Sequence, residues 1–151
     1  MATAHRPGDS WTVDQISRVP EPSAFIDFLF NGTSVLAGFD FPIGLPTQCG
    51  ERTGFTHFLE AQPQLGQGEW ASFFSVALTP DEISIRRPFY PANSRLSPRR
   101  DHLLTGLDIK SFNELSRLGE LKSESRRAAC PIFWTLGANQ DGKAALDAWQ
   151  N

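Results

Sequence analysis

Cysteine is scarce in this chain, with only Cys49 and Cys130 among 151 residues. Two cysteines without an evident signal peptide are expected to be reduced thiols of an intracellular protein rather than a disulfide framework. Long apolar runs are missing too. No uninterrupted stretch approaches the ~18 residues of a membrane span, so the expected state is soluble and cytoplasmic, with no membrane partner. Excess charge of one sign is also lacking: 14 Lys and Arg stand against 17 Asp and Glu, for a net charge of −3. That balance gives no general attraction to nucleic acid or polyanions, so any phosphate binding must come from a local cluster. The three histidines and the cysteines do not show the paired spacing of a zinc site.

What the chain has in quantity is aromatic bulk. Twelve Phe and four Trp, within a hydrophobic fraction of 40%, supply a core for one soluble globular domain. The polar start "MATAHRPGDS" has no apolar period, so residues 1–10 are expected to be a disordered arm, with the domain spanning 11–151. "WTVDQIS" alternates and suits a short edge strand. "PSAFIDFLFNG" puts Phe25, Ile26, Leu29 and Phe30 on one stripe and predicts a helix over 23–31, closed by Gly32. "TSVLAGFDF" is apolar on both faces, as a central strand of an α/β sheet would be. Further helices are expected over 53–61, around 70–76, over 101–104 and after Ser111, where Glu114 completes the spacing of a capping box. The segment 80–98 reads as loop. "CPIFWTLG" is expected to be a strand, and "NQDGKAALDAWQ" a closing helix with Ala144, Ala145, Ala148 and Trp149 toward one side.

Three stretches bear on chemistry. In "SVLAGFDFPIGLP" the strand period of two puts Ser34, Leu36, Gly38 and Asp40 on one face, with the side-chain-free Gly38 leaving room beside the carboxylate. Burying an ionised carboxylate costs several kcal/mol unless it is paired, hydrogen-bonded or metal-bound, and open α/β sheets place ligands at strand C-termini. Asp40 is therefore either a site residue or an acceptor for the N–H groups of the stiff turn "PIGLP". The second stretch, "SIRRPFYPANSRLSPRRDH", concentrates Arg86, Arg87, Arg95, Arg99 and Arg100 beside Phe89 and Tyr90, materials for phosphate contact and base stacking or for a solvated loop of ion pairs. The third, "GANQDGKA", has the G-x-x-x-x-G-K spacing of a phosphate-binding loop. Ala144, however, stands where a P-loop needs a hydroxyl for magnesium, so the plainer reading is a turn into a helix. Cys49, His57 and His102 are materials for a nucleophile and a base, with nothing in their spacing to bring them together.

"VLAGFDFPIGLP", "EISIRRPFYP" and "RRAACPIFWTLGANQDGKAAL" together resemble the bacterial family called domain of unknown function 429, described as predicted ribonuclease-H-like nucleases. The resemblance runs from about Trp11 onward. It implies a ribonuclease-H-like α/β fold, with a central sheet and flanking helices, in which strand-end carboxylates hold magnesium or manganese for phosphodiester hydrolysis. Asp40 would be one such carboxylate and Glu120, ahead of the basic-Ala-Cys-Pro segment, a second. Arg86 and Arg87 would be phosphate contacts, with Gln140 and Lys143 lining the site. In such chemistry two cations about 4 Å apart activate water and steady the leaving oxygen, so several acids must converge. The family pattern also calls for a first strand bearing an Asp, which is not evident here, and for more sheet after the last helix. On that basis the chain is expected to be a shortened member, either a nuclease or an inactive remnant or binding module of the same fold. Its substrate would be nucleic acid or a phosphorylated small molecule, and the incomplete sheet edge would favour self-association.

Overall fold

The polar start pairs into a strand instead of trailing as an arm. In the computed structural model, which describes residues 2–16, 18, 21–31, 42–137 and 141–150, β1 (Ala2–His5) runs antiparallel to β2 (Thr12–Ile16). The pairing sets Ala2 opposite Ile16 and His5 opposite Thr12, with a register irregularity between Thr3 and Ala4. Backbone hydrogen bonds need no apolar side chains, which is why a polar composition concealed the strand. The expected edge strand after Trp11 is β2, and it is exposed along its length. Helix α1 (Pro22–Phe30) follows, opened by a proline whose missing N–H costs nothing in the first turn. It matches the helix expected there. Residues Met1–Phe39 form one compact unit and Asp40–Asn151 a second.

The second unit is built from short helices around an aromatic core. Helix α2 (Thr47–Thr53) stops at Gly54, whose φ of +76° is the left-handed cap that side chains disfavour. α3 (Phe58–Ala61) then begins afresh. One continuous helix over 53–61 is therefore not formed. Around Trp70 the backbone closes in three-residue steps, Trp70 N–H to Gln67 O, Phe73 N–H to Trp70 O and Ser75 N–H to Ser72 O, so a 3₁₀ turn and successive bends stand where a helix was expected. α4 (Asp101–Gly106) and α5 (Phe112–Leu115) lie where the sequence places helices, and the Ser111 hydroxyl caps α5 by accepting the Glu114 N–H.

Phe73, Phe89 and Phe133 meet edge-on in a triangle with centroids 5.2 to 6.5 Å apart, the orientation that ring quadrupoles favour. All three are buried to 1% exposure or less. Each ring contributes about 1.5–3 kcal/mol by leaving water. Tyr90 N–H donates to Phe133 O and Thr135 N–H to Tyr90 O, while Ala77 N–H donates to Phe89 O. These bonds tie three segments of the chain side by side. The strand expected in "CPIFWTLG" is reduced to one parallel bridge, Tyr90 to Trp134, because Pro131 has no N–H and its carbonyl turns the chain by accepting from Trp134.

Helix α6 (Asp141–Gln150) closes the unit with Ala145, Leu146 and Trp149 buried and Ala144 and Ala148 half-buried, close to the expected face. Among the described residues the protein is thus mixed α/β, with one two-stranded antiparallel sheet and six helices. The central strand expected over 33–41 lies outside the described residues. Among those described, no helix is long and apolar enough to cross a membrane.

Candidate functional site

The arginines of the basic stretch divide into two groups. Arg87 is spent on the fold: its guanidinium donates to the carbonyls of Ser75 (3.3 Å) and Val76 (3.0 Å) and lies 3.1 Å from Glu82. Glu82 in turn accepts the Leu78 N–H at 2.6 Å. That backbone hydrogen bond, with the Arg87 charge adding to it, holds the Glu82 carboxyl below the usual carboxylate range. Arg86 pairs with Glu69 and lies over the Trp70 ring, 5.8 Å from its centroid. Both residues expected to contact phosphate are engaged within the unit.

Arg95, Arg99 and Arg100 form the other group, all exposed and without a carboxylate partner among the described residues. Arg99 adjoins a pair that spacing alone could not reveal. The hydroxyl of Tyr90, the only tyrosine, meets His102 Nδ1 at 2.9 Å. Tyr90 is fully buried, and burial raises its phenol above the ordinary value. His102 is half-buried on α4, with the Arg99 backbone N–H 3.4 Å from Nδ1 and the Arg99 Nε 3.5 Å from Nε2. Arg100 stacks its guanidinium 5.7 Å from the Trp134 ring centroid. The core rings thereby support two of the three unpaired arginines, one directly and one through a histidine. The aromatic residues interleaved with arginine were the visible signal, but which arginines remained uncommitted was not.

Glu120 is placed differently from a metal-ligating acid. It sits in the 3₁₀ turn Leu118–Glu120 and is 1% exposed. Its Oε1 accepts from Arg117 Nε (2.9 Å) and from a terminal guanidinium nitrogen (2.7 Å), and its Oε2 accepts the Arg117 backbone N–H (2.8 Å). A divalent cation here would have to displace a guanidinium already in contact, so this carboxylate does not fit the group that the family resemblance implies. Among the described residues no three His, Cys, Asp or Glu side chains converge as metal ligands. Asp40 and Gln140 lie outside the described residues. Lys143 is exposed on α6. Of these residues the structure therefore describes only Glu120 and Lys143.

The phosphate-loop spacing has another cause. A Cβ on Gly142 would run into the Ile132 carbonyl and stand 2.8 Å from that of Trp134, so this glycine lets α6 approach another backbone closely. Cys49 is buried, and burial pushes its thiol up to about 12 against the smaller opposing pull of Arg52, which disfavours the thiolate that a nucleophile needs. A cleft of about 550 Å³ lies beside it, lined by Leu45, Glu51, Phe55, Thr56, His57 and Phe58 among others. Its two titratable side chains, Glu51 and His57, are both exposed. No protein-family model, curated protein or solved structure matches the chain.

Proposed function

We propose that this chain is a phosphate-binding module of the ribonuclease-H-like class, engaging the backbone of a nucleic acid through Arg95, Arg99 and Arg100. The observation that carries the reading is the division of the arginines: Arg87 is held by backbone carbonyls and Glu82, and Arg86 pairs at the surface with Glu69, whereas Arg95, Arg99 and Arg100 are exposed without a carboxylate partner among the described residues, Arg99 lying against the His102 of the Tyr90–His102 pair. Guanidinium forks bind phosphate oxygens in two-pronged fashion. Three forks within six residues suit successive phosphates better than one small anion.

Metal-dependent phosphodiester hydrolysis is the second reading, and the resemblance around "GFDFPIGLP" favours it. It rests on Asp40 as the carboxylate, since Glu120 is committed to Arg117. Gln140 and Lys143 belong to this second reading as site-lining residues.

Fluorescence anisotropy with a labelled single-stranded oligonucleotide, on the wild-type chain and on Arg95→Gln/Arg99→Gln/Arg100→Gln, tests the module. The expected result is salt-sensitive binding that the triple variant loses. Equal affinity of the two chains would overturn it. Incubating the oligonucleotide with manganese and the wild type or Asp40→Asn tests the second reading, which requires cleavage that disappears in the variant.

A further inference from the structure

The poor fit of Glu120 to a metal points to another role. The Arg117 guanidinium that Glu120 holds has one remaining terminal nitrogen, and it donates to the Ile43 carbonyl at 3.0 Å. One residue earlier, the Pro42 carbonyl accepts the Trp149 indole N–H at 2.8 Å. Adjacent carbonyls of "PIGLP" are thus held by two side chains that lie 74 and 107 residues further along the chain.

That turn has reason to need outside donors. Pro42 and Pro46 have no N–H, so the segment has few donors of its own with which to satisfy its carbonyls. The donors that supply them are well fixed. Trp149 is 4% exposed, and Arg117 is gripped by a carboxylate that is itself buried. The Pro46 carbonyl at the far end accepts from Cys49 (3.0 Å) and Gly50 (3.1 Å), which carries the turn rigidly into α2.

We propose that Glu120 and Arg117, with Trp149, form a two-point clamp on the turn that follows Asp40, and that Glu120 is a positioning residue acting through Arg117. The clamp fixes the chain immediately after Asp40 in sequence, because only Phe41 separates Asp40 from the first clamped carbonyl. This positioning role rests on the reading of Asp40 as a functional carboxylate. The guanidinium fork is essential: it must reach Glu120 on one side and Ile43 on the other, which an ammonium cannot do in the same geometry.

Two variants approach the clamp from opposite ends, Arg117→Lys and Trp149→Phe. Solvent exchange of the Trp149 indole N–H and of the Cys49 and Gly50 amides is followed by NMR, beside a manganese titration of each chain and of Asp40→Asn. In Arg117→Lys the indole and both amides, none of which touches Arg117, are expected to exchange at least tenfold faster while α4 amides are unchanged. Trp149→Phe is expected to speed the same two amides, and both variants to weaken manganese binding at least fivefold. Unchanged exchange in both variants would overturn the clamp. Faster exchange with unaltered manganese affinity would overturn the positioning role. A wild type that binds no manganese would sink the reading of Asp40 as a metal carboxylate, and the positioning role with it, while exchange still decides the clamp.

Discussion

The Tyr90 hydroxyl lies 2.9 Å from His102 Nδ1, joining a residue of the aromatic core to a half-buried imidazole on α4. The contact brings the edge of the aromatic core up to the arginines at 99 and 100. If that arrangement serves phosphate binding, its consequences separate the two sets of arginines.

Salt dependence makes that separation. Each phosphate contact on a single strand contributes about 0.7 to the slope of log affinity against log salt. Replacing Arg95, Arg99 and Arg100 with Gln should flatten the slope by about 2. Replacing Arg86 with Gln should leave the slope unchanged, because its guanidinium is held by Glu69. Anisotropy titrations at several salt concentrations give both slopes.

Arg117 should be costly to remove. Arg117→Met leaves the Glu120 carboxylate buried without its partner, a change that typically costs about 3–5 kcal/mol. Adding Glu120→Gln should recover part of that loss, since the double variant has no uncompensated charge. Urea unfolding of the two single variants and the double variant measures the coupling.

Gly142→Ala distinguishes packing from phosphate binding in the G-K segment. The added methyl meets the carbonyls of Ile132 and Trp134, so a loss of roughly 1–3 kcal/mol in unfolding free energy is expected. An unchanged midpoint would mean that the helix start does not need its glycine.

Alkaline pH should destabilise the fold through Cys49. Its thiol is raised from 9.0 to about 12 by burial, so the unfolded chain releases this proton first. Stability is full below pH 9 and falls as pH rises toward 12, by a total on the order of 4 kcal/mol. Tyr90, raised in the same direction by burial, adds to the loss above its ordinary value. Unfolding curves from pH 8 to 11 should show the decline, and Cys49→Ala should make it shallower.

The hairpin supplies a test of self-association. Val13 is 60% and Ile16 81% exposed on β2, with Trp11 just before it 66% exposed, and among the described residues the sheet has two strands only. Sedimentation velocity should show concentration-dependent association that Val13→Lys/Ile16→Lys abolishes. A monomer at all concentrations would leave these side chains as ordinary exposed surface.

Several elements were legible from the chain alone because their signals are local. The stripe of Phe25, Ile26, Leu29 and Phe30 announces α1, although Ile26 and Phe30 turn out exposed, the Ser111–Glu114 spacing announces α5, and the small and aromatic residues near the end announce α6. Composition likewise determined that aromatic rings would build the core. What only the tertiary structure decided is how charged groups are used. Arg86, Arg87, Arg95, Arg99 and Arg100 are chemically alike in the sequence, and which are consumed depends on acids and carbonyls elsewhere in the chain. Glu120 stands near a basic segment as a free acid would, yet desolvation and the Arg117 fork make it a buried partner. Arg117 then reaches a carbonyl 74 residues away. Backbone propensity acts over a few residues and can be read in order, whereas the pairing of a charge is settled by whatever the fold places within hydrogen-bond reach.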